Sequence, residues 1–121
     1  MSTVGPSRIT VLIADDHPVV RQGLGVLLEV QGDMELVGEA ADGPAAVRLT
    51  MQHAPDVLLL DLKLPVLDGM GVLAELRALG APTRVLILTS AAGPTGPALA
   101  LQAGAAGFLY KDVDPDALVR A

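Results

Sequence analysis

Residues 55–69 read PDVLLLDLKLPVLDG. Val57 to Leu60 form a short run with no polar residue in it, and Asp61 follows directly. A run apolar on both faces belongs in a parallel sheet covered on both sides, where the usual apolar/polar alternation is lost. An acid at its end then stands at the carboxyl edge of the sheet, where such sheets bind ligands.

Working outward, three more runs rich in Val, Ile and Leu are Ile9 to Ala14, Leu36 to Ala40 and Val85 to Leu88, and Gly107 to Tyr110 is a weaker fifth. The segments between them have helical spacing. Val20, Leu24, Leu27 and Leu28 make one stripe, and Val72, Leu73, Leu76 and Leu79 another. Ala46, Leu49 and Thr50 mark a third helix, opened by Asp42 and stopped before Pro55. Strand and helix alternate through the chain, which calls for a parallel sheet with helices on both faces, an α/β doubly wound fold. No repeat, low-complexity tract or internal linker interrupts it.

The length of 121 residues suits one domain with a real core. Half the residues are hydrophobic, yet the aromatics are only Phe108 and Tyr110, so the core is built from Val, Leu, Ile and Ala. The formal charge of -6, with no Lys/Arg cluster, argues against this chain itself holding a polyanion by electrostatics. The absence of cysteine removes disulfides, thiol catalysis and Cys-based zinc sites. Residues 1–8, MSTVGPSR, lack a signal-peptide core, and no apolar run approaches the ~20 residues that span a bilayer. These features lead us to expect a soluble, cytoplasmic protein.

The chemistry is read where each run stops. Asp15 and Asp16 follow the first, Asp61 the third, Thr89 and Ser90 the fourth, and Lys111 the fifth. With those four strands side by side, one edge gathers three carboxylates, a hydroxyl and an ammonium. Carboxylates packed together stay ionised only around a cation. Oxygen ligands without Cys or His indicate a hard ion, and so few carboxylates suit Mg2+ better than Ca2+. An Asp beside Mg2+ can act as a nucleophile toward phosphorus, with Thr89 and Lys111 serving the remaining phosphoryl oxygens. Each residue has a plainer reading too: an Asp as a helix cap or loop residue, Lys111 as a surface lysine, Thr89 as a strand former. Their joint occurrence favours an aspartyl-phosphate site.

VLIADDHPVVRQGL (11–24), DVLLLDLKLPVLDG (56–69), VLILTS (85–90) and GAAGFLYKD (104–112) resemble, in order and spacing, the signature segments of response-regulator receiver domains, in the NarL/FixJ (LuxR-type) form. The resemblance implies a flavodoxin-like (βα)5 fold with strand order 2-1-3-4-5. It assigns Asp61 as phosphoacceptor and Asp15 and Asp16 as the Mg2+ pair, Asp16 being the direct ligand. It also assigns the backbone carbonyl of Lys63 as a further metal ligand, Thr89 and Lys111 as phosphoryl contacts, and Phe108 as the aromatic switch residue. Tyr110 is expected to pack. Pro65 is read as stiffening the loop after the third strand, and Gly69 as permitting a turn or a close backbone approach there.

By the same resemblance, a sensor histidine kinase donates the phosphoryl group, and homodimerisation through the fourth helix, fifth strand and fifth helix follows activation. Receivers of this type precede a helix-turn-helix DNA-binding domain. The chain divides into a tail, 1–7, and a receiver, 8–121, that reads as trimmed from a longer protein, its fifth helix truncated after DPDALVRA. The stretch SAAGPTGPALALQAGA departs from the family pattern. Gly93, Pro94, Gly96 and Pro97 predict a long mobile loop, and a fourth helix confined to about Pro97 to Ala103. The alternation of Ala98 to Leu101 hints at strand.

Rival readings are weaker. A receiver working as a phosphorylation-independent interaction or dimerisation module would not need all five site residues. GMGVLA, Gly69 to Ala74, fits a dinucleotide fingerprint but follows a loop rather than a tight strand turn. A metal-dependent phosphohydrolase needs a second carboxylate where this chain has Lys63. His17 and His53 are read as too isolated for a metal or triad role, His17 packing at the start of the first helix. The expected activity is self-phosphorylation with slow self-hydrolysis at most, not turnover of a substrate.

Overall fold

The computed structural model describes residues 8–89 and 95–110. Among these residues five strands and four helices alternate: β1 Ile9–Ala14, α1 Pro18–Gln31, β2 Met34–Ala40, α2 Gly43–His53, β3 Val57–Asp61, α3 Gly69–Ala78, β4 Arg84–Thr89, α4 Thr95–Gln102 and β5 Gly107–Tyr110. The strands form one parallel sheet in the order β2-β1-β3-β4-β5, the flavodoxin-like arrangement.

Both faces of the central strands are covered, which is why their sequences do not alternate. Leu12, Ala14, Leu58, Leu60 and Ile87 join Ala46 of α2, Val72, Leu73 and Leu76 of α3 and Ala100 of α4 in one core. Val11, Ile13, Leu59 and Leu88 point the other way and meet Leu24 and Leu28 of α1. The pairing slips once between β1 and β2, where Val11 opposes Leu36 and Leu12 opposes Gly38. No helix among the described residues is long and apolar enough to cross a membrane.

The helix starts follow local chemistry. Asp42 caps α2 by accepting the Ala45 amide at 2.8 Å, and Asp68 caps α3 by accepting the Gly71 amide at 2.8 Å. Pro18 opens α1 at a position where its missing N–H costs nothing. At the opposite edge of the sheet, Asp56 Oδ2 accepts from the amide and hydroxyl of Thr10, tying the starts of β1 and β3 together.

Three expectations need correcting. The fourth helix is short, 8 residues, but begins at Thr95 rather than Pro97. Pro97 falls in its first turn, where amides have no intrahelical acceptor to lose. The strand-like alternation of Ala98 to Leu101 lies inside this helix, with Ala100 buried and Leu99 and Leu101 exposed. Leu79, read as part of the α3 stripe, is the C-cap and is exposed. Of the predicted mobile loop, Gly96 and Pro97 lie in α4 instead, and the rest, like the truncated fifth helix, falls outside the described residues.

Candidate functional site

The carboxyl edge of the sheet is built by β1 and β3. Asp15 leaves β1 with its amide still bonded to the Ala40 carbonyl of β2 at 3.0 Å, and its side chain is completely buried. Its Oδ1 accepts the amide of His17 at 2.8 Å, a short side-chain turn that redirects the chain into α1. Asp61 is the last residue of β3, opposite Leu88 of β4, and is 3% exposed. Its Oδ1 accepts the amide of Lys63 at 3.0 Å, the same device at the neighbouring strand end. Asp16, beyond Asp15, is partly open to solvent.

One ligand atom each from Asp15, Asp16, His17 and Asp61 lies within 4.8 Å of all the others. Three carboxylates so close, two of them buried, repel one another and have lost much of their hydration. A small hard cation with water access through Asp16 relieves both penalties, so the donor set fits Mg2+.

The loop 62–68 is fixed by three backbone hydrogen bonds. The Gly69 amide donates to the Leu62 carbonyl at 2.9 Å, closing it against α3. The Pro65 carbonyl accepts the Leu67 amide at 2.8 Å and the Gly43 amide at 3.2 Å, so the loop also rests on the start of α2. The bond from Leu67 to Pro65, with Val66 at φ 71, is a γ-turn. A β-branched residue rarely adopts that conformation, and Val66 holds it at 88% exposure. Gly43 and Gly69 are needed for contact: a Cβ on Gly43 would lie within 2.6 Å of the Leu67 carbonyl carbon, and one on Gly69 would overlap the Asp61 and Leu62 backbone. The stiffening expected of Pro65 is therefore shared by its carbonyl.

Asp15, Asp16 and Asp61 are thus brought together as expected. Lys63 follows within two residues, its side chain exposed. Thr89 ends β4, paired with Tyr110 and one position beyond the Asp61 register. Phe108 lies on β5 opposite Ile87 and is 38% exposed. Lys111 lies outside the described residues. Two participants were not foreseen. His17 is not isolated: its Nδ1 is 3.0 Å from Asp15 Oδ1 and 3.1 Å from Asp16 Oδ1, and its ring is exposed rather than packed. Arg21, one helical turn on, donates from Nη1 to the Asp15 carbonyl at 2.6 Å and from Nε to Glu39 at 3.2 Å. The available signal was position, since a residue two after a strand-end Asp is turned back over it, and i+4 from there is the same helix face.

A doubly wound sheet in this order, with an acidic cluster at the ends of β1 and β3, is the layout of a signal receiver. The model of the response regulator receiver domain family matches residues 11–121, and the chain belongs to that family. Over all 121 residues it is 44% identical to the transcriptional regulatory protein NarL of Mycobacterium tuberculosis, of which it covers 56%. Over 112 residues, 93% of this chain, it is 35% identical to the nitrate/nitrite response regulator protein NarL of Escherichia coli, covering 52% of it. Among solved structures, the signal receiver domain of the Mycobacterium tuberculosis response regulator NarL superposes with a TM-score of 0.91 at 43% identity, covering 95% of this chain and 93% of that one. The chain spans little more than half of these curated relatives, 56% and 52%. It is a two-component receiver of the NarL type, a signalling module.

Proposed function

We propose that this domain is a phosphorylation-dependent switch in which Asp61 accepts a phosphoryl group from a sensor histidine kinase. The observation that carries this reading is the placement of Asp61, at the end of a central strand buried from Leu58 onward, with a ligand atom within 4.8 Å of those of Asp15, Asp16 and His17. A carboxylate oxygen of Asp61 attacks phosphorus, the bond to the donor breaks, and the donor leaves with its electron pair. Water later reverses the gain by hydrolysing the acyl phosphate.

Mg2+, when bound, supplies charge neutralisation for the phosphoryl oxygens. Asp15, Asp16, Asp61 and the Lys63 carbonyl would hold it. Burial keeps Asp15 and Asp61 in one geometry, and the two side-chain turns at His17 and Lys63 fix their carboxylates against rotation. Thr89 and Lys111 are assigned to the remaining phosphoryl oxygens, and Phe108 on β5 to sensing the change. The output is a change of conformation at α4 and β5 that promotes homodimerisation and controls a DNA-binding transcription-regulator domain elsewhere in a longer cytoplasmic protein.

The test is intact-mass measurement after incubation with acetyl phosphate. The expected result is a gain of one phosphoryl group that requires Mg2+ and is abolished by EDTA. No gain, or a gain indifferent to EDTA, would overturn the proposal.

A further inference from the structure

His17 reaches the acidic pocket by the same turn that places Asp15, since the backbone amide donating to Asp15 Oδ1 belongs to His17 itself. The side chain does neither of the jobs its position suggests. It occupies the N-cap of α1 but makes no side-chain capping hydrogen bond, and at 63% exposure it is not core packing. Its Nδ1 instead stands 3.0 Å from Asp15 Oδ1 and 3.1 Å from Asp16 Oδ1. With metal–ligand bonds near 2.1 Å, neighbouring ligands of an octahedron are about 3.0 Å apart. Both distances from His17 Nδ1 match that spacing between neighbouring ligands, and the ring is exposed on the outer side of the pocket.

We propose that His17, through Nδ1, is a further ligand of the cation pocket and makes it a mixed nitrogen–oxygen site that accepts first-row divalent ions such as Mn2+ and Zn2+ as well as Mg2+. This inference rests on the metal-binding reading of the pocket. Imidazole adds little for Mg2+, which favours oxygen and keeps its water, but it strengthens binding of Mn2+ and, more so, Zn2+. It adds no charge, so the balance among the three carboxylates is unchanged. A Zn2+ held this way occupies the Mg2+ position, which makes His17 the residue that sets metal selectivity. A protonated ring bridging the two carboxylates has the same spacings, and in that arrangement a metal displaces the ring instead of recruiting it.

The experiment adds Mn2+ alone to the full chain and reads electron spin-echo modulation from a directly bound imidazole nitrogen, for the unmodified protein, His17→Gln and Asp16→Asn. Zn2+ and Mg2+ affinities are measured by calorimetry on the same proteins, with circular dichroism confirming the fold. The expected result is nitrogen modulation in the unmodified protein that His17→Gln abolishes while Mn2+ still binds. Zn2+ affinity falls in His17→Gln by at least the roughly tenfold that even an outer-sphere partner contributes, and Mg2+ affinity stays within about twofold. Absence of the modulation in the unmodified protein, its persistence in His17→Gln, or an equal loss of Mg2+ and Zn2+ overturns the assignment and leaves the metal pocket standing. Failure of Mn2+ to bind, or binding undiminished in Asp16→Asn, overturns the pocket and the assignment together.

Discussion

A Cβ added to Gly69 would lie 2.5 Å from the carbonyl oxygen of Asp61 and 2.6 Å from the Cα of Leu62. The first residue of α3 is thus pressed against the backbone that carries the candidate phosphoacceptor, and only a hydrogen fits between them. Backbone cannot yield as the end of a flexible side chain can. Gly69→Ala is expected to cost about 1–3 kcal/mol, read by urea denaturation, and to slow labelling by acetyl phosphate by moving Asp61. An alanine variant of unchanged stability and labelling would show that the loop relaxes freely.

Arg21 is expected to position the metal site without touching the metal. Its bond to the Asp15 carbonyl is charge-assisted and part-buried, whereas its Glu39 partner is 44% exposed. Arg21→Gln should therefore lose about 1–2 kcal/mol and weaken Mg2+ binding, while Glu39→Gln changes stability by at most about 0.5 kcal/mol. Chemical denaturation and Mg2+ calorimetry on the two variants check the contrast.

Thr50 is 1% exposed on α2, and its hydroxyl has no hydrogen-bond partner among the described residues. A buried hydroxyl left without a partner costs free energy that an isosteric methyl does not. Thr50→Val is predicted to stabilise the fold by about 1 kcal/mol, visible as a raised thermal midpoint, with phosphoryl acceptance unchanged.

Leu60 is fully buried immediately before Asp61. Leu60→Ala removes side-chain packing from the larger core and is predicted to cost about 2–5 kcal/mol in urea denaturation. A loss under about 1 kcal/mol would mean that the strand carrying Asp61 is not held by the packing described.

The legible part of this fold was the part governed by burial. Runs such as Val57 to Leu60 lose alternation because both sheet faces are covered, and that single fact led to the parallel sheet and to reading the residues after each run. Asp42 was legible as a cap for the same reason that it works as one: a short acid before an apolar stripe. What could not be read was geometry set by tertiary contact. Pro97 looked like the start of α4, yet the first turn tolerates a proline, so the helix extends back to Thr95. His17 seemed isolated because spacing along the chain does not reveal where a turn throws a side chain. Arg21 reads as an ordinary helix residue until the Asp15 carbonyl is seen beneath it.

The central claim is that Asp61, and no neighbouring carboxylate, takes the phosphoryl group. Reduction of the acetyl phosphate-treated protein with borodeuteride converts an aspartyl phosphate into a deuterated homoserine with release of phosphate, and peptide mass mapping then locates the modified residue. The account predicts deuterium at position 61 alone, absent without Mg2+ and absent in Asp61→Asn. Deuterated homoserine at position 15 or 16, or labelling that survives in Asp61→Asn, would contradict it.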